Sequence, residues 1–199
     1  MPRITGGSLE AHRAQVRERV FEAFAALVAE RGYDAVTLAD IASRAGVGRT
    51  SLYNHFADKE SVVVAFATKE TRRYVAELEA ALLVATSSTE ALRIYVRQHV
   101  ALSDRFHLGL GPELYALLSR PALTTIREHV VVVERVLRRI LAEGVASGEL
   151  VQQDLTTSVA LVHACLQGRS VPAEAGPDRD AAVTATEEFV LRAVGAATS

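Results

Sequence analysis

Arg49, Thr50, Ser51, Tyr53, Asn54 and His55 stand almost contiguously, interrupted by apolar Leu52 and closed by apolar Phe56. Leu52 and Phe56 are four residues apart, so a helix through this segment turns both to one side and presents the other six outward. All six can donate a hydrogen bond, and arginine adds a flat charged fork that pairs with O6 and N7 of guanine. A short helix with donors at its N-terminal end is the shape that enters a DNA major groove. The chemistry predicted here is recognition without catalysis. Arg49 and Thr50 would meet base edges, Thr37, Ser51, Tyr53, His55 and Lys59 would hold phosphates, and Asn54 could do either. The bland alternative is two helices of an ordinary α-helical core with a polar outer face.

The flanking residues supply the elements that would position this row. Thr37 is a good N-cap, with Asp40 three residues on as a loose capping box. Leu38, Ile41, Ala42 and Ala45 then fall on one helical face, and Gly46 stops the helix. Val47 offers an apolar plug, and Gly48 is an acceptable N-cap for the second helix. Upstream, Val16, Val20, Phe21, Phe24, Leu27 and Val28 make the apolar stripe of a helix over 9–31, with Arg13, Arg17, Glu18 and Glu22 on its other face. Gly32 ends it, and Tyr33 reads as a core anchor. Asp58 caps a long helix from Lys59 to about Val84, which no Gly or Pro interrupts.

Gly32-Tyr33, Thr37, Ile41-Ala42, Ala45-Gly46-Val47, Leu52-Tyr53, Phe56 and Asp58-Lys59-Glu60 together resemble the TetR family of bacterial transcriptional regulators, over roughly residues 10–65. The resemblance implies a flexible arm at 1–8, a three-helix DNA-binding domain at 9–58 with its helix-turn-helix at 37–56, and a ligand-binding and dimerisation domain at 59–199. It also implies a homodimer on a palindromic operator, most often a repressor, which a small-molecule effector releases. In the family the helix after the motif joins the two domains, and a small swing of it changes the separation of the paired reading heads. Gly48 departs from the pattern, which often has Ser or Thr there, and so removes a phosphate-binding hydroxyl. His55 stands where the family varies between aromatic and polar residues.

Composition bounds these expectations. The chain has 199 residues, 49% hydrophobic and 23% charged, which is globular and room for one or two domains. A single cysteine, Cys165, excludes an intramolecular disulfide framework and fits a reducing cytosol. No apolar run reaches the length of a membrane span, so neither a signal segment nor a membrane partner is expected. The first 60 residues carry eight Arg or Lys and eight Asp or Glu, so a field for DNA must come from local clustering.

The remainder reads as all-α, about nine helices in total. Helices are predicted over 90–103, 121–147, 155–167 and 178–194, with a kink at Gly109-Leu110-Gly111-Pro112 as a gate and a loop over 168–176. An effector pocket of apolar and aromatic residues with a few polar heads suits a hydrophobic small molecule. Its candidate rings are Tyr74, Tyr95, His99, Phe106, His107, Tyr115, His129 and His163, and its aliphatic liners are Leu110, Leu114, Leu118, Ile126 and Val133. Each taken alone reads as core before it reads as pocket. For dimerisation, the stripes Leu155, Val159, Val162, Leu166 and Val183, Phe189, Val190 on the last two helices are candidates, and the resemblance favours a four-helix interface over a plain core.

The four histidines at 99, 107, 129 and 163 lack the four-residue pairing of a helical metal site, and neither metal nor cofactor is expected. Ser51 and His55 lack a buried acid and a glycine-rich elbow, so no enzyme is predicted. The rival to a DNA-binding regulator is an all-α ligand-carrier or protein-interaction module in which the motif is only packing.

Overall fold

The computed structural model describes residues 6–106, 117–167 and 176–196, with the side chains of 9–101, 117–166 and 176–196. Among these residues there are eight helices and no strand: α1 (Gly6–Arg31), α2 (Leu38–Arg44), α3 (Arg49–Tyr53), α4 (Lys59–Leu82), α5 (Ser88–Phe106), α6 (Arg120–Ser147), α7 (Leu155–Gln167) and α8 (Pro177–Ala193). An isolated antiparallel bridge joins Leu150 and Ala196. No helix among the described residues is long and apolar enough to cross a membrane. The chain divides into two compact units, Met1–Lys69 with Phe106–Ile126, and Glu70–Arg105 with Arg127–Ser199.

The first unit is built from the predicted stripe of α1. Val16, Val20, Phe21, Phe24, Leu27 and Val28 are all buried in one core with Ile41, Leu52, Phe56 and Phe66. Phe21 stands at its centre, edge-on to Phe56 and to Phe66 with ring centroids 5.9 Å apart in both cases, and Phe24 meets Phe66 at 5.6 Å. Such edge-to-face pairs are worth about 0.5–1.5 kcal/mol each beyond the area they bury. Leu118, Ala122 and Ile126 complete the same core. Ser119 docks on α4, its N–H and hydroxyl both donating to the Glu60 carboxylate at 2.9 and 2.6 Å.

The second unit closes around Leu78, Leu92, Tyr95, Leu137, Leu141, Leu166 and Val190. Gly144 lies within α6 where a Cβ would meet the Leu150 side chain at 2.6 Å, so this close approach requires glycine. Beyond that helix, the Glu149 carboxylate accepts from the free amides of Ser88 and Thr89 at 3.2 and 3.0 Å and so caps α5. Those hydrogen bonds hold its carboxyl below the usual range.

Glu187 on α8 is 1% exposed, and its carboxylate accepts from Arg97 Nε at 2.5 Å, Arg97 Nη2 at 3.1 Å and Arg93 Nη1 at 3.4 Å. A buried carboxylate needs its partners more than exposed guanidiniums need theirs. Replacing Arg93 and Arg97 together by Met should therefore cost about 3–5 kcal/mol in urea unfolding, whereas Glu187→Met should cost far less.

His99 is buried in this second core, and that burial, with His163 beside it, pushes its imidazole down to about 4. The unfolded side chain titrates near 6.5. Between these values the unfolded chain holds a proton that the folded chain refuses. Stability should thus be flat above about pH 6.5 and fall by about 3 kcal/mol toward pH 4. Urea midpoints across that range should show the slope, and His99→Gln should flatten it.

Candidate nucleic-acid interface

Thr37 and Asp40 fix the entry of α2 through a reciprocal capping box. The Asp40 amide donates to Thr37 Oγ1 at 3.2 Å and the Thr37 amide donates to Asp40 Oδ2 at 2.9 Å. The Thr37 hydroxyl also donates to that carboxylate at 2.5 Å, and these bonds hold the Asp40 carboxyl low. At the turn, Gly46 takes φ +62°, where a side chain would be strained, and its amide closes on Ser43 O at 3.2 Å. Val47 is half-buried against the first core, as the plug expected there. Gly48 takes an extended N-cap conformation with no side-chain bond to offer α3.

α3 then turns Leu52 fully inward, with Phe56 buried just beyond it. Arg49, Thr50, Tyr53 and Asn54 are exposed, and Ser51 and His55 are half-buried. Tyr53, 57% exposed, is a large ring left in solvent beside polar neighbours. Four of the six predicted side chains are thus open to solvent and two partly so, spread around α3 and its C-terminal turn while Leu52 and Phe56 are buried. The other two candidates are placed differently. Thr37 Oγ1 is already engaged by Asp40, and Lys59 Nζ donates to Tyr33 O at 2.8 Å while lying 4.0 Å from the centroid of the Tyr33 ring. Lys59 is thus a half-buried strut with N–H groups to spare. Burial pushes the Tyr33 hydroxyl up to about 12, with the Glu60, Asp58 and Asp34 carboxylates adding to it.

Local charge resolves the overall balance of the first 60 residues. Glu18 pairs with Lys69, and Glu30 with Arg44 at 2.7 Å. Asp58 caps α4 by accepting from the Ser61 amide at 2.7 Å, and Glu60 holds Ser119. Around His55 the field is positive. Burial, with the charges of Arg17, Arg13 and His12, holds its imidazole below the usual range. Arg17 also lies over the Phe21 and Phe56 rings, its Cζ 5.5 and 5.2 Å from the two centroids. Arg13 and Arg17 therefore extend the candidate face beyond the helix-turn-helix. They were assigned only to the polar side of α1 by sequence, where their four-residue spacing beside the motif is the signal that could have marked them.

In the second unit, four of the predicted pocket rings converge. Tyr95 Oη and His163 Nε2 are 2.7 Å apart, and His99 lies with ring centroids 5.9 Å from Tyr95, 5.5 Å from His163 and 6.4 Å from Tyr74. Val133 belongs to the same core, and His129 is half-buried on α6. Ile126 and Leu118 instead lie in the core of the first unit. The Phe106 side chain, His107, Leu110, Leu114 and Tyr115, with the Gly109–Pro112 kink, lie outside the described residues. No group of three or more His, Cys, Asp or Glu among the described residues could hold a metal ion.

The dimer stripes fall mostly inside. Val159, Val162, Leu166 and Val190 are buried in the second core, and Leu155 and Val183 pack half-buried against it. The helical period marks a buried face and is silent on what buries it. The outward apolar side chains of α7 and α8 are Leu161, 65% exposed, and Phe189, 53% exposed. With Ser158, Cys165 and Ala193 they line an open cleft of about 290 Å³.

Comparison with known proteins agrees with this geometry. Residues 20–66 match the family model described as bacterial regulatory proteins, tetR family. The HTH-type transcriptional regulator Rv2250c of Mycobacterium tuberculosis is 31% identical over 148 residues, which is 73% of this chain and 71% of that protein. A regulatory protein of the tetR family from Rhodococcus RHA1 shares the fold with a TM-score of 0.76 at 21% identity, over 92% of this chain and 98% of that one. The transcriptional regulator FadR from Bacillus subtilis, solved in complex with stearoyl-CoA, does so with a TM-score of 0.72 at 19% identity, over 89% and 97%. This chain belongs to the TetR family of bacterial regulatory proteins and is a non-enzymatic, DNA-binding regulator of transcription.

Proposed function

We propose that the chain is a homodimeric repressor that holds a palindromic operator and leaves it when a hydrophobic small molecule enters its second unit. The observation that carries the reading is the exposure of Arg49, Thr50, Tyr53 and Asn54 on α3 and its C-terminal turn, with Arg13 and Arg17 acting on the neighbouring His55. Arg49 and Thr50 would read base edges, and Ser51, Tyr53 and His55 would set register on phosphates, with Asn54 available for either. Lys59 would add a phosphate contact through its remaining N–H groups, and Thr37 would do so by turning its hydroxyl proton from Asp40 to the phosphate. Residues 9–58 would carry the reading, and 59–199 sensing and pairing. α4 contributes residues to both units, so it is the element through which an effector would act on the reading head.

Two relatives support the finer parts by name. A 47-residue stretch is 51% identical to the HTH-type transcriptional repressor KstR2 of Mycobacterium tuberculosis, and the FadR structure holds stearoyl-CoA, an apolar chain on a polar head. Pairing would use the exposed apolar side chains Leu161 and Phe189 of these two helices, since a two-fold interface sets the same patch of both copies against itself. A two-fold dimer reads half-sites about 34–36 Å apart, one turn of the duplex.

Selection of bound duplexes from a random pool by the full chain should recover a two-fold symmetric sequence; recovery of no preferred sequence would defeat the reading. On the selected duplex, Arg49→Ala should lose about 1–3 kcal/mol and relax the choice of base at one position in each half-site. The double change Leu161→Asp with Phe189→Asp should give a folded monomer by light scattering, with operator affinity lost. A dimer that survives it would place the interface elsewhere.

A further inference from the structure

We propose that Arg17 on α1 is a phosphate-binding residue of the DNA interface, and that with His55 it makes a proton-linked grip on the phosphodiester backbone, so that a duplex is held more tightly as the pH falls. Arg17 lies ahead of the helix-turn-helix and of residues 20–66, which match the family model. The inference rests on the DNA-binding reading above and adds a contact from outside the recognition motif.

Arg17 is half-buried, and its guanidinium lies over the Phe21 and Phe56 rings, with Cζ 5.5 and 5.2 Å from their centroids. A guanidinium held by aromatic rings is attracted through its charge and keeps its N–H donors. Those donors meet no acid among the described residues. The positions three and four residues either side of Arg17 on α1 are Arg13, Ala14, Val20 and Phe21. Glu18, the next residue, is taken by Lys69 of α4. Phe56 also has His55 beside it, with ring centroids 6.3 Å apart, so the guanidinium and the imidazole border the same ring. The charged and titratable groups acting on His55 are Arg17, Arg13 and His12, all from α1. The groups that follow it in the chain are engaged elsewhere. Asp58 accepts from the Ser61 amide at 2.7 Å, Lys59 donates to Tyr33 O, and Glu60 accepts from Ser119.

Positive charge left unmatched by acids favours an anion, and its place selects which one. The cluster borders α3, whose exposed Arg49, Thr50, Tyr53 and Asn54 are the proposed DNA face. A helix in the major groove has the phosphate backbones at its sides, and arginine takes a phosphate through two parallel N–H···O bonds. The rings already fix the Arg17 side chain, so little freedom is left to lose on contact. The proton follows by linkage. In the free chain, burial and then the field of Arg17, Arg13 and His12 keep the His55 imidazole below its usual range. A phosphodiester offsets that field and accepts from the imidazolium, and both effects favour the charged form. The complex then holds a proton that the free chain does not. Binding therefore strengthens as the pH falls, until the free imidazole itself is protonated.

The test uses the full chain and two duplexes, one recovered by operator selection and one of mixed sequence, because a phosphate contact acts on both. Fluorescence anisotropy at constant ionic strength should show each duplex bound about threefold to tenfold tighter at about pH 6 than at about pH 8. His55→Gln should remove that dependence, whereas His12→Gln, which takes away the other imidazole of the cluster, should keep it. Arg17→Met leaves an apolar stem on the two rings. It should weaken both duplexes alike, by about tenfold near 0.1 M salt, and lower the salt slope by about one. It should also raise the midpoint at which the His55 ring resonances titrate in the free chain. Arg17→Lys should restore the salt slope. An arginine that only packs would move the melting temperature and leave the salt slope alone. Unchanged affinity and salt slope in Arg17→Met, a pH dependence that survives His55→Gln, weaker binding at the lower pH, or no binding of either duplex would each overturn the assignment. Failure to select an operator would count against the repressor reading alone, since the mixed duplex still decides this one.

Discussion

A five-residue helix cannot hold itself. Nucleation costs more than so few hydrogen bonds return, and isolated helices under about 12–15 residues are marginal in water. α3 exists because Leu52 and Phe56 are buried in the core, Phe56 edge-on to Phe21, and the rest of the first unit follows from that anchoring. α1 must carry an unbroken apolar stripe to receive them. Gly46 must turn the chain sharply enough to bring them onto it, and Phe66 must close the aromatic centre from α4. The reward is a row of outward side chains whose positions are set by a core they do not join.

The same economy governs charge. An even balance of eight cations and eight acids in the first 60 residues speaks against a generic polyanion binder. Yet several of the acids are spent on the scaffold, as the Thr37–Asp40 box, the Asp58 cap, the Glu60 clasp on Ser119, and the pairs with Arg44 and Lys69. Acids at helix N-termini also offset the positive end of the helix dipole. Arg13, Arg17 and Arg49 are left to shape the field near α3. Bulk charge is thus a poor guide to a recognition surface, because a capping carboxylate and an exposed guanidinium act on different parts of space.

How much of this was legible in the sequence depended on range. The α2–α3 motif was readable to the residue, since its caps, its glycine and its inward pair all act within about a turn of each other. The bounds of α7 were equally clear, and Asp154 caps it as its position suggests, accepting from the Thr157 amide at 2.7 Å. What sequence could not supply was the partner of a surface. Val159, Val162 and Val190 have the spacing of an interface and turned out to face their own core, while Leu161 lies off that stripe and is exposed. Periodicity reports that a face is apolar, and only three dimensions say against what. The Glu187 carboxylate, some ninety residues from its two arginines, leaves no local signal at all. Arg13 and Arg17 were overlooked for a related reason, because a polar helix face looks the same whether it meets water or is aimed beside His55.

The two cores are built to different ends, and that difference is itself informative. The first is held by edge-to-face phenylalanines, rings that satisfy one another completely and ask for nothing more. The second places two tyrosines and two histidines where leucines would pack without penalty. Each unpaired polar group there costs about 1–3 kcal/mol of stability. Stability given up in a buried core persists in a sequence when the strained or unsatisfied group has work to do. A reading head gains from rigidity, because base contacts tolerate little displacement. A core that senses an effector, as proposed for the second, would gain from being incomplete, because a core already satisfied has no differential affinity to offer, and without differential affinity an effector cannot shift any equilibrium.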